Sequence, residues 1–149
     1  MRSVKIALTF VLLICFANVK AQTKKQPRPV LTTLVSQYKD SVKLNAEEAE
    51  RVIAQPLRVI DDKKTVYTIA SYQFLYRRNV VTEDEQTGKI TPTTSIASQR
   101  FTSTPLPEYW IKPISGQVKA GEEMLFFDII VKDPNGKVSF APDFKIKVI

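Results

Sequence analysis

The chain has 149 residues, with 22 Lys and Arg against 15 Asp and Glu, one Cys and no His. Arg2, Lys5 and Lys20 fall in an N-terminal leader and Lys24, Lys25 and Arg28 in a polar stretch behind it, leaving residues 30–149 at a net charge of only +1. A near-neutral remainder argues against a nucleic-acid-binding surface. The missing His and the leader-borne Cys remove the usual base for Ser or Cys nucleophiles and the common zinc and copper ligand sets.

Residues 1–21 read as a signal peptide: a basic start, the apolar run Ile6–Phe16, and small residues Val19 and Ala21 before a cut that makes Gln22 the first mature residue. The run has 11 residues, short of the roughly 20 that a membrane-spanning helix needs. No stable membrane anchor is therefore expected after cleavage. Cys15 follows Ile14, where a lipoprotein signal wants a small residue, so the mature chain is expected to carry no Cys and no disulfide. Residues 22–29, polar and proline-bearing, read as a linker, and 30–149 as one domain.

Val30–Val35 is short and β-branched and reads as the first strand. Asn45, with Glu48 three residues later and Ala49, Val52 and Ile53 at helical spacing, predicts a helix of two to three turns that ends before Pro56. A strand over 57–60 follows, then a charged turn at 61–64 and a long central strand over 65–76 that contains neither Gly nor Pro. The acidic stretch 82–93 reads as a long exposed hairpin loop, and 95–102 as a returning strand. Pro105 and Pro107 block regular pairing, so Tyr109–Ile111 is expected to form a helical turn or a short irregular segment packed on the sheet. In 124–131 the apolar odd positions Leu125, Phe127, Ile129 and Val131 are expected to face inward. Asp133-Pro134-Asn135-Gly136 is a hairpin turn, and the last strand should put Phe144, Ile146 and Val148 inside with Lys145 and Lys147 outside, pairing antiparallel to 124–131. The fold expected is all-β, mainly an antiparallel Ig-like β-sandwich, with one short helix.

Among the groups that remain for chemistry, adjacent Glu122 and Glu123 point to opposite faces of an extended chain and cannot share a site. Asp128, between Phe127 and Ile129, either simply faces water on the outer side of a half-buried strand or makes a buried salt bridge or a ligand contact. The Asp133–Gly136 turn lacks the further oxygen ligands of a calcium loop, and the four isolated glycines form no phosphate loop. No catalytic residue, cofactor or metal is assigned. The aromatic residues Tyr67, Tyr72, Phe74 and Tyr76 are core candidates, whereas Tyr109 and Trp110, beside the prolines, are the candidate binding residues.

A family pattern runs through the second half: the strand Val66–Phe74 (VYTIASYQF), then Gln99-Arg100-Phe101-Thr102, Ile111-Lys112-Pro113-Ile114, Val118–Ile129 (VKAGEEMLFFDI) and Asp133–Lys137 (DPNGK), closed by an alternating strand. In order and spacing this resembles the C-terminal periplasmic domain of GldM/PorM, the shaft protein of gliding motility and type IX secretion, over about residues 41–149. The resemblance implies a protein-binding domain with no catalytic residues. It departs from the family in offering a cleavable leader and one domain in place of a membrane helix and several domains, so the chain is not expected to be the motor itself. The reading is a non-enzymatic exported module, periplasmic or extracellular, that binds an envelope protein, with an unpaired sheet edge as the expected means of association. The alternative is a small carbohydrate- or peptidoglycan-binding domain using Tyr109 and Trp110.

Overall fold

A computed structural model describes residues 28–149; the expected signal peptide, its Ala21/Gln22 cut and most of the linker lie outside them. Within them the fold is all-β with short helices. The elements are β1 (Leu31–Val35), β2 (Tyr38–Lys39), β3 (Ser41–Leu44), α1 (Ala46–Ile53), β4 (Leu57–Asp61), β5 (Val66–Glu83), β6 (Ile90–Phe101), α2 (Glu108–Ile114), β7 (Glu123–Lys132), β8 (Val138–Ala141) and β9 (Phe144–Val148).

The strands make one mixed sheet in the order β2-β1-β4-β5-β7-β9-β3, with β6 added to β5 and β8 to β7. Its first and last strands, β2 and β3, are separated in the chain only by Asp40, whose φ of 61° turns the backbone sharply, so the sheet curls nearly closed into a barrel. Two facing walls result, as in a sandwich, with β5 belonging to both. Pairing is antiparallel throughout except for β3 with β9.

The core fills the space between the walls. Tyr72, Phe74, Phe126 and Phe144 are fully buried and in mutual contact, with ring centroids of Phe74 and Phe126 4.9 Å apart and those of Phe126 and Phe144 6.2 Å apart. α1 closes the other side through Ala49, Val52 and Ile53, the three apolar positions its spacing predicts. It begins where Asn45 accepts the amide of Glu48 at 2.9 Å, which satisfies one of the free N–H groups of the first turn.

Two expectations need correction. The inner face of β7 is not its odd positions throughout: Met124 and Phe126 are buried in the first half, Ile129 and Val131 in the second. A bulge at Asp128, with φ at 48°, inserts one residue against β5 and reverses the alternation. A compensating irregularity between Ile69 and Ser71 of β5 restores register, so both strands change phase together and both keep their apolar residues inside. Second, residues 82–93 are not one loop. β5 runs on to Glu83 and β6 starts at Ile90, leaving only 84–89 unpaired. The β-branched residues Val80, Val81 and Thr82 supply strand propensity there, and the Asp84 carboxylate closes the turn by accepting the amides of Gln86 and Thr87. The helical turn expected at Tyr109–Ile111 is present as part of α2, seven residues that form despite Pro113, so the fold has two short helices among the described residues. The last strand alternates as expected and pairs antiparallel with the first half of β7, while β8 takes the second half across the turn.

Glu122 and Glu123 do point to opposite faces. Glu123 lies outside, ion-paired with Arg77 at 3.1 Å and Lys145 at 3.0 Å. Glu122 is 2 % exposed, and its carboxyl accepts from the Tyr76 hydroxyl (2.5 Å), the Asn79 amide and the Lys119 amide (both 3.1 Å). It thereby ties β5, the 115–122 loop and the start of β7 at one point. Tyr76→Phe should therefore cost about 1–3 kcal/mol, the usual loss for a buried group deprived of a partner. Glu122→Ala should cost more, since it strips three donors at once. Urea unfolding checks the ranking; equal stability of all three proteins would contradict it.

Candidate functional site

The elements that stand furthest from the core are β5 and β6 beyond the end of β7. β7 pairs with β5 only as far as Arg77, opposite Glu123, whereas β6 follows β5 to Glu83. From Arg78 outward the hairpin is a two-stranded ribbon whose residues are mostly exposed. Isolated two-stranded hairpins are only marginally stable in water. Here the base is held by Glu122, through the Asn79 amide, and by the outer face of the sheet.

On that outer face the Arg100 guanidinium is ion-paired with Asp128 and donates to Ser71 Oγ at 2.9 Å, while Gln73 donates to Asp128 at 3.2 Å. Asp128 thus lies on the outer face, as the first of its two readings has it, and the salt bridge it makes there is partly exposed and not the buried one of the alternative. The bulge brings it there. Arg100 and then Gln73 hold its carboxyl below the ordinary value of 3.8, and Lys145, ahead of Arg77, does the same for Glu123 below 4.5. Both carboxylates are engaged structurally, and so are Asp61, Asp84 and Asp133, which accept backbone amides in turns.

On the inner face of the hairpin lies a cleft of about 260 Å³ between α2 and the strands, lined by Tyr76 and Arg78 of β5, Ser95 and Ala97 of β6, and Tyr109, Trp110, Pro113 and Ile114 of α2. The two residues singled out in the sequence are brought together at this cleft, and Gln99 positions both: its side-chain amide donates to the Tyr109 hydroxyl at 3.1 Å and its oxygen accepts the Trp110 indole N–H at 2.7 Å. Their situations differ. Trp110 is half-buried, edge-on to Phe74 and Phe101, whereas Tyr109 is 61 % exposed. Tyr76, on the cleft floor, has its phenol pushed upward by burial and by the carboxyl of Glu122. Burial likewise raises Tyr72, deeper in the core, from 10.0 to about 12. Arg78 forms no ion pair among the described residues.

Sequence reasoning missed Arg78, Ser95 and Ala97: the last two fall in an expected strand and Arg78 at the end of another, but reading 82–93 as loop hid the register that brings them together. A signal was present: residues 90–99 contain no charge in ten consecutive positions, several of them Thr, Ser or Ile.

The ladder fixes which backbone groups of β6 are free. In an antiparallel pair the N–H and C=O of a residue point to one side, and successive residues alternate. The Asn79 amide points toward Glu122, on the β7 side, and the Asp84 amide bonds the Lys89 carbonyl, on the β6 side. Even residues of β5 therefore bond β6, through its odd residues. The even residues of β6, Thr94, Ile96, Ser98 and Arg100, turn their backbone groups to the open edge. Pro92 has the same parity, and so its missing N–H costs the ladder nothing.

Comparison with protein-family models and with curated proteins returns no match. Among the described residues no three or more His, Cys, Asp or Glu cluster as metal ligands, and no helix is long and apolar enough to cross a membrane.

The depressed carboxylates give the acid limb of stability its sign. A folded-state value below the unfolded one means that the contribution is complete above about pH 4.5 and is lost as pH falls through the lowered values of Glu123 and Asp128. Asp128→Asn, which still tolerates positive φ, should flatten that limb. Unfolding midpoints measured from pH 7 down to about 2 check it, and an unchanged slope would contradict it.

Proposed function

We propose that this chain is a non-enzymatic, exported β-module that binds another protein in the cell envelope. The observation that carries this reading is the β5–β6 ribbon: an exposed strand, uncharged from Ile90 to Gln99, with one open backbone edge, standing beside an aromatic-lined cleft. Natural sheets protect such edges with charges, bulges or covering segments. β6 has Pro92 toward its tip and Arg100 at its root, where the charge is held by Asp128, and nothing between them.

A non-catalytic role is supported by the chemistry that surrounds the ribbon. The cleft is lined by no carboxylate or thiol; its polar groups are Arg78, Ser95, the Tyr76 and Tyr109 hydroxyls and the Trp110 indole N–H, the last three already bonded to Glu122 or Gln99. Each carboxylate located on a turn or strand pairing described above is already engaged. A sugar-stacking role finds less support, because Trp110 is packed edge-on against two Phe rings and its N–H is spent on Gln99, which leaves Tyr109 alone as an exposed platform.

Export, with a mature start at Gln22 and a periplasmic or extracellular location, follows from the leader alone. The order of motifs from Val66 to Lys137 that resembles the C-terminal GldM/PorM domain makes gliding motility or type IX secretion the first context in which to seek the partner.

Fractionation of cells producing the tagged chain, followed by affinity capture from the envelope, tests the reading. It predicts an exported protein that begins at residue 22 and recovers a defined envelope protein above background. A cytoplasmic location, or capture of no protein by a folded chain, would contradict it.

A further inference from the structure

Resting on the protein-binding reading, the open edge and the cleft together narrow what can bind. Strand addition to β6 uses the backbone groups of Thr94, Ile96 and Ser98, and an incoming antiparallel strand would exchange its own N–H and C=O groups with them. Side chains of these three lie on the outer face, with that of Arg100. The odd residues Ser95 and Ala97 turn their side chains inward, and both line the cleft.

The residues of an added strand that stand opposite Ser95 and Ala97 form the non-hydrogen-bonded pairs, in which side chains approach most closely. Their side chains point inward as well, to the mouth of the cleft. Each meets a different chemistry. Across β6 and β5, the row through Ala97 continues to Tyr76, and the row through Ser95 continues to Arg78. The first row lies with Trp110, Pro113 and Ile114 in an apolar, aromatic setting large enough for a single big side chain. The second ends on a guanidinium that has no ion-pair partner among the described residues.

We infer that β6 receives an extended, antiparallel segment of a partner protein carrying an aromatic residue opposite Ala97 and, two residues later, an acidic residue opposite Ser95 that reaches Arg78. The charge-free run 90–99 fits this mode, since it presents no side-chain charge to repel or misdirect the incoming strand. Pro92 marks where addition is interrupted, because at that position the edge lacks a donor.

The test is a peptide array in the frame Thr-Val-Thr-X-Thr-Z-Thr-Val-Thr, with X and Z each varied through all amino acids and probed with the purified, labelled protein. Binding is expected to peak with aromatic X and acidic Z, and the best peptide should shift Trp110 emission. Two variants locate the site. Ser98→Pro removes one outward donor without touching the ladder to β5, as Pro92 already does, and should abolish binding. Arg78→Glu should weaken the acidic peptides by about tenfold, the loss of one attraction and gain of one repulsion, and should shift the preference at Z to Lys or Arg. Circular dichroism of both variants, matching the wild type, shows that the fold is kept; if Ser98→Pro misfolds, the charge reversal alone decides. A flat array, a preference at Z that Arg78→Glu leaves unchanged, or full binding by folded Ser98→Pro overturns the inference. Envelope capture that succeeds while the array is flat leaves a protein-binding module that works through another surface.

Discussion

The backbone donors and acceptors of β5 along its buried length, as far as Asn79, must find partners on one of two edges, and this single requirement organises the molecule. One edge takes β4 over Val66 and Tyr67, then β6 from Tyr72 to Glu83; the other takes β7 from Thr68 to Arg77. Because β5 serves both walls, it has to twist and shift phase between them, and the bulge at Asp128 with its counterpart near Ala70 does this. Tyr67 thus faces the core before the irregularity and Tyr72, Phe74 and Tyr76 after it. Without the paired shifts one of the two aromatic sets would face water.

Where β7 runs out, the same requirement is met differently. Asn79, the next residue of β5 that points to the vacated side, gives its amide to Glu122, and the same carboxyl takes the Tyr76 hydroxyl from inside the core. A buried carboxyl is costly unless its lone pairs are satisfied. Here three donors do so, and the consequence is a fixed point at the base of the ribbon. On the opposite face Asp128 anchors Arg100 at the start of the open edge of β6. The ribbon is therefore held from both sides at its root, and the unpaired edge extends from a rigid scaffold.

Much of this was legible in the sequence where a local rule governs. Asn45 and Glu48 marked the start of α1, the Asp133–Gly136 turn set the β7–β8 hairpin, and Phe144, Ile146 and Val148 announced their own burial. The acidic turn residues 83–85 masked the pairing on either side of them, since charge near a hairpin tip looks the same whether the flanks are loop or strand. The bulge was also hidden: a run such as Met124–Val131 is apolar on both parities, so alternation could not reveal where its phase reverses. Tyr109 and Trp110 were found because prolines set them apart, but their meaning depends on Arg78, Ser95 and Ala97, which sequence distance separates and only the β5–β6 register brings to one cleft.

The central claim is that β6 offers an open, correctly phased edge. Residue-resolved amide hydrogen exchange by NMR measures it most directly. The account predicts alternation along β6, with the amides of Ser95, Ala97 and Gln99 protected by β5 and those of Thr94, Ile96 and Ser98 exchanging freely. Uniform protection along the strand, or alternation of the opposite phase, would contradict it.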